Sequence, residues 1–202
     1  MIGRLHRKYQ RETINMFSLS KHGRVICSPA PSLSCGDFRE IHEWPVLSSE
    51  DKEEIIDRVG RLIEGDDASH EFLRQRAALM ADEMLENALY CAPRDASGNQ
   101  IYAKGEKRRL SPAEEIVLRC AFDGEKLFLE VSDSWGRLSP ETVQGYIAIN
   151  LAHDTSTDRA GRGLYFMWKF MKDFYVNFAP GLKTSVGGYL LLNPDSYEYG
   201  AI

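Results

Sequence analysis

Two periodicities of apolar and polar positions run along this chain, and the switches between them mark out its elements. Near the start, TINMFSLS and RVICS are β-prone runs flanking the turn-like Lys21-His22-Gly23, which predicts a hairpin. SPAPSLSCGD reads as a Pro/Ser/Gly-rich connection, and His42 in IHEWPVL as a loop histidine. After Pro45, SSEDKEEIIDRVGRLIEG offers Ser48 or Ser49 as N-cap, acids in the first turn, and apolar residues at Ile55, Ile56, Val59, Leu62 and Ile63 before Gly65, an amphipathic helix. A longer helix is predicted over about residues 69–91, because Leu73, Ala77, Met80, Met84 and Ala88 recur at steps of three and four before Pro93.

A polar, turn-rich stretch follows Pro93, and then EEIVLRCAF and KLFLEVSDS form two strand-like runs around Asp123-Gly124-Glu125. A helix from Ser139, a second in LYFMWKFMKDF, and strands in DFYVNFAPG and TSVGGYLLLN complete the chain. Helices set between antiparallel hairpins predict an α+β fold: a two-layer sandwich with a mixed, mostly antiparallel sheet covered by helices on one face.

Composition narrows the picture. At 202 residues the chain has room for one elaborated domain, read here as residues 46–202 with an insertion at about 93–110, preceded by a basic extension over residues 1–45. No window approaches the roughly 20 apolar residues of a bilayer crossing, and no apolar segment follows the basic MIGRLHRKYQRE, so the expected compartment is the cytoplasm. Cys27, Cys35, Cys91 and Cys120 lie far apart, without a CxxC pair, and are expected to be plain thiols. The first 25 residues carry six cations against the single acid Glu12, while the whole chain has a net charge of −5. An acidic body argues against nucleic acid as partner, and the basic arm suits an acidic partner, a membrane surface or a solvated terminus.

Three features are candidates for chemistry, and Thr184 is by itself unremarkable. Glu83 and Asn87, four apart, share a helix face at the border of the Met80/Met84/Ala88 stripe. There the Asn oxygen suits a Mg²⁺ position and the Glu suits proton transfer, although a solvated helix face accounts for the same pair. Asp133 ends an apolar strand just before Gly136, where a carboxylate can accept from an exocyclic amine and a glycine permits close approach; a local Asp-Ser turn is the alternative. Gly161 and Gly163 precede a helix without acids in its first turns, a candidate anion or phosphate site. Thr184 opens the last strand.

In this order and spacing, over about residues 69–193, these features resemble the histidine-kinase-like ATPase superfamily, which includes gyrase, heat-shock chaperone and mismatch-repair ATPases and sensor kinases. The resemblance implies that family's fold, with ATP and Mg²⁺ as cofactors. DEMLENALYCAP is similar to its N-box, making Asn87 a Mg²⁺ ligand and Glu83 the base that activates the attacking hydroxyl or water. Asp133 resembles the aspartate that recognises adenine, residues 137–160 the lid, Gly161-Arg162-Gly163-Leu164 the second glycine box, and Thr184 the threonine supporting that aspartate by hydrogen bonding.

The chain also departs from the family pattern. Asp-x-Gly-x-Gly appears as Asp133-Ser134-Trp135-Gly136-Arg137, with Trp135 and Arg137 at glycine positions; Tyr90 and Cys91 stand where a Lys or His often follows the N-box, leaving phosphate charge to Arg94, Arg159 or Arg162. Among family branches, a stand-alone module that keeps Glu83 looks most like the anti-sigma-factor serine-protein kinases. That implies transfer of the ATP γ-phosphate to Ser or Thr of a regulatory partner, a sigma-factor or antagonist-like protein in bacterial partner switching, and leaves room for a homodimer. A degenerate nucleotide-binding or nucleotide-free adaptor, and a subunit phosphorylating His on a separate protein, stay open.

Overall fold

In the computed structural model, residues 15–19, 25–27, 38, 40–152 and 161–193 are described. A single antiparallel sheet runs in the order β2-β1-β6-β7-β5-β4-β3. Its strands are β1 (Asn15–Leu19), β2 (Val25–Cys27), β3 (His42–Val46), β4 (Ile116–Phe122), β5 (Lys126–Asp133), β6 (Lys172–Ala179) and β7 (Lys183–Leu191). The helices are α1 (Lys52–Leu62), α2 (Ala68–Glu86), α3 (Pro140–Ala152) and α4 (Arg162–Phe170). This is the α+β two-layer sandwich the element order implies, and every described strand pairing is antiparallel.

The N-terminal runs do pair as β1 with β2, and β1 continues the sheet by pairing with β6, although the turn between them lies outside the described residues. His42 is not in a loop: it opens β3, which pairs with β4 as an edge strand. Pro45 hid this strand from a propensity reading, yet an edge tolerates a proline because one side of its backbone needs no ladder partner.

The anticipated helix ends are visible in detail. Ser48 accepts from Glu50 N–H at 3.1 Å while Asp51 reaches back to Ser48 N–H at 2.8 Å, a capping box opening a 3₁₀ turn into α1. Asp67 caps α2 by accepting from the N–H groups of Ser69 and His70. Leu73, Ala77, Met80, Met84 and Ala88 are all buried against Leu118, Leu127, Leu129 and Val131, so the three-and-four stripe is the helix layer's contact with the sheet. The helix run read through residue 174 ends instead at Phe170, and Lys172 starts β6.

β5 is buried on both faces. Leu127, Leu129 and Val131 face the helices, whereas Phe128 joins Phe38, Ala121 and Tyr175 on the other side. A polar row crosses this second face through registered neighbours: Glu43, Arg119, Glu130, Gly187 and Tyr175. Arg119 donates to Glu43 at 2.7 Å and to Glu130 at 2.9 Å, and the Tyr175 hydroxyl donates to Glu130 at 2.7 Å. Gly187 makes this reach available, since a Cβ there would lie 2.6 Å from the Tyr175 oxygen.

Burial and the Glu130 carboxylate both push the Tyr175 phenol up, so it stays a neutral donor. Tyr175→Phe should therefore lower unfolding free energy by about 1–3 kcal/mol, read from urea titration, because Glu130 at 5% exposure loses a buried hydrogen bond. An unchanged midpoint would mean the Tyr175–Glu130 bond contributes nothing to stability.

Candidate nucleotide site

The end of α2 carries Glu83 and Asn87, both half-buried on one face. At Asn87 the helix widens into a π turn over Asn87–Cys91: Asn87 N–H donates to the carbonyls of both Glu83 and Met84, and Ala92 N–H reaches Asn87 O at 2.8 Å. Such bulges recur at functional positions because they re-aim side chains within an otherwise regular helix.

α4 begins against this face. Gly161 is its N-cap with φ 79°, and a Cβ there would collide with the Tyr146 ring of α3. A Cβ on Gly163 would collide with the Glu83 carboxylate and come within 3.5 Å of Asn87 Nδ2. The missing side chain is what lets the first turn of α4 lie directly on the Glu–Asn pair. No side chain caps α4 and its first turn holds no acid, so the positive end of its dipole has no acidic group of its own helix against it. Leu164 anchors the turn in the core.

The second cluster forms where β5 ends. Asp133 is 8% exposed, stands directly opposite Thr184 in the β5–β7 register, and accepts the Trp135 N–H at 2.8 Å. Burial raises its carboxyl from 3.8 to about 6, against the opposing pull of the Trp135 and Gly136 N–H groups and of the Lys183 charge. Gly136, at φ 55°, sits against the β6–β7 turn: its carbonyl accepts Gly181 N–H at 2.9 Å, and a Cβ would collide with the Ala179 carbonyl.

Several sequence-derived candidates thus fall into two groups, Glu83/Asn87/Gly163 and Asp133/Gly136/Thr184, on elements that touch, since α2 crosses β5 and β7 and contacts α4. Thr184 is in the implied register, but its hydroxyl has no hydrogen-bond partner and so does not brace Asp133 as the resemblance implies. Asn87 Nδ2 and the Trp135 indole N–H are likewise buried without partners, while Arg137 is exposed. Arg94 turns back to the helix end, donating to the Cys91 and Gly98 carbonyls. Arg162, in the first turn of α4, stands beside the glycines, and Arg159 lies outside the described residues.

This donor set fits a nucleotide. A buried carboxylate can accept from an exocyclic amine, and buried polar groups without partners are what a polar ligand satisfies. Among the described residues no cluster of three or more His, Cys, Asp or Glu side chains could cage a metal, so Mg²⁺ held by Asn87 would complete its shell with phosphate oxygens and water, its usual habit. Two clefts lie elsewhere: one of about 560 Å³ lined by residues of α1 and the start of α2, among them Arg61 and Arg74, and one of about 340 Å³ beside Lys52, Glu86 and Lys107.

What sequence reasoning missed is the use of the stretch after Pro93. Arg108 donates to Leu89 O at 3.1 Å and to Glu114 at 2.7 Å, Gln100 to Tyr90 O at 3.4 Å, and the Tyr90 hydroxyl to Glu106 O at 3.0 Å. The signal available was the helix end itself, whose last carbonyls need donors. Lys52 adds ion pairs to Asp82 and Glu86, which keep its ammonium charged despite burial.

Among the described residues no helix is long and apolar enough to cross a membrane. No protein-family model matches the chain, and no curated protein matches it.

The raised Asp133 carboxyl makes a stability prediction. Between 3.8 and about 6 the folded state holds a proton that the unfolded chain has released, so this group's contribution is lost as pH rises through that window. Asp133→Asn, which can still accept the Trp135 N–H, should raise stability at pH 7.5 by up to about 3 kcal/mol. The gain should vanish by about pH 4 in thermal melts across pH. An equal gain at both pH values would show that the carboxylate charge is not its source.

Proposed function

We propose that this protein is an ATP-binding regulatory kinase of the histidine-kinase-like ATPase type, acting in the cytoplasm on Ser or Thr of a small protein partner. The observation that carries this reading is the approach of Gly163 to Glu83 and Asn87, which gathers a carboxylate, a carboxamide and an uncapped helix N-terminus at one point.

Bound ATP with Mg²⁺ would supply the transferable phosphoryl group. Asn87 would hold one coordination position of the ion, and the first-turn N–H groups of α4 with Arg162 would take phosphate charge. Glu83 would orient the acceptor hydroxyl and receive its proton. At the other end Asp133 would accept from the adenine amine, with the Thr184 hydroxyl and Trp135 indole N–H available as donors. The non-enzymatic reading, an adaptor of the same fold, draws on the Trp135 side chain and exposed Arg137 where the resemblance expects glycine.

Calorimetric titration with a non-hydrolysable ATP analogue should give Mg²⁺-dependent binding, weakened by Asp133→Asn by about 1–3 kcal/mol, the scale of a hydrogen bond to a charged group. Binding should also fall as pH drops below about 6 and the carboxyl takes up its proton. No binding by the folded protein at millimolar analogue would favour the adaptor. With an acceptor protein in hand, Glu83→Gln should leave binding intact and slow transfer by about 10²- to 10⁴-fold. Equal rates would remove Glu83 from the chemistry, and acid-labile product phosphate would move the acceptor from Ser/Thr to His.

A further inference from the structure

We infer that Arg108 is a positioning residue for Asn87, and that the segment between Pro93 and β4 is a clamp keyed between the two halves of the site; this rests on the reading of Asn87 as a metal ligand. Within the π turn, the carbonyls of Leu89, Tyr90 and Cys91 receive donors from Arg108, Gln100 and Arg94, all from the one segment. The same segment reaches the end of β5: Ser134, next to Asp133, donates its hydroxyl to Ala113 O at 2.8 Å and its N–H to Glu115 O at 3.1 Å. One stretch of chain therefore touches the turn that carries Asn87 and the turn that carries Asp133.

Arg108 is the fixed point of the clamp. Its side chain is 7% exposed, its guanidinium lies 3.7 Å from the centre of the Tyr102 ring, and its backbone exchanges hydrogen bonds with Ser49. Glu114 also accepts from the Tyr102 hydroxyl and from Ser111 N–H. Burial works against charge on Glu114, but the Ser111 and Arg108 contacts outweigh it and hold the carboxyl below its usual range. A buried pair of this kind is often replaceable by apolar residues without loss of stability. What apolar residues could not replace is the second arm of the fork, which donates to Leu89 O, a carbonyl no α-helical N–H can serve because the residue four positions on is Pro93. Arg108 thereby fixes the π turn two residues after Asn87, whose carboxamide lies beside Gly163.

The test uses Arg108→Lys, which keeps a charge but loses the planar fork that reaches Glu114 and Leu89 O from two separate nitrogens, and Arg108→Met, which removes both contacts. The first measurement is the side-chain amide signal of Asn87 in ¹⁵N-labelled, nucleotide-free protein, assigned by its loss in Asn87→Asp. The second is affinity for a non-hydrolysable ATP analogue with and without Mg²⁺. The expected result is a displaced Asn87 signal in both variants, with affinity in Mg²⁺ reduced about tenfold or more while affinity without Mg²⁺ stays within about threefold of the parent. If Arg108→Met fails to fold, Arg108→Lys carries the test alone. An unmoved Asn87 signal and an unchanged Mg²⁺ response in a folded variant would overturn the inference. A displaced signal in a protein whose parent binds the analogue without any Mg²⁺ effect would overturn the reading of Asn87 as metal ligand, and with it the positioning role.

Discussion

A helix cannot satisfy the carbonyls of its own last turn, and in α2 that turn carries one of the two polar side chains on which the functional reading depends. Much of the rest of the site follows from how this deficit is met. The turn widens at Asn87, which leaves the Leu89, Tyr90 and Cys91 carbonyls facing away from the ladder, and the chain after Pro93 returns to supply Arg108, Gln100 and Arg94 to them. Lys52 steadies the preceding turn from α1 through Asp82 and Glu86. With α2 held from two sides, α4 can close on its exposed face through a glycine, and the Glu–Asn pair acquires a neighbour with a positive dipole end.

The sheet supplies the other half. β5 is covered on both faces, so a carboxylate at its end inherits a low-dielectric surround, and Asp133 is pushed up to about 6 in consequence. On the far face the Glu43–Arg119–Glu130–Tyr175 row ties β3, β4, β5 and β6 together, with Gly187 leaving β7 low enough to be bridged. The site therefore sits on strands braced from behind, which suits recognition that depends on a fixed register between Asp133 and Thr184.

Legibility in the sequence tracked how local the determinant was. Capping at Ser48, the stripe from Leu73 to Ala88 and the Asp123-Gly124-Glu125 hairpin depend on residues within a few positions of each other, and all are in the structure. Asp133 opposite Thr184 and Gly163 beside Glu83 were reachable through family resemblance alone, because nothing local pairs residues so far apart. β3 was invisible because Pro45 contradicts strand propensity and only its edge position excuses it. The π turn and the clamp were missed for a similar reason: hydrogen bonds from Arg108 to Leu89 and from Ser134 to Ala113 are set by the tertiary fold, whereas the sequence of residues 93–110 carries only turn chemistry.

The remaining choice, between a nucleotide-binding protein and a nucleotide-free adaptor with the same fold, turns on the groups that burial leaves unsatisfied. A domain of ordinary stability has about 5–15 kcal/mol in hand. A buried carboxylate raised by two pK units, with Thr184 and Trp135 as buried donors lacking acceptors, is a substantial drain at about 1–3 kcal/mol for each unsatisfied group. An adaptor would gain stability by replacing Asp133 with Asn and Thr184 with Val, since neither change disturbs the sheet register. Under the proposed nucleotide reading neither change is open, because Asp133 and the Thr184 hydroxyl would be the groups that recognise the ligand. At Trp135 the buried indole N–H is one more donor without an acceptor, which a polar ligand would satisfy.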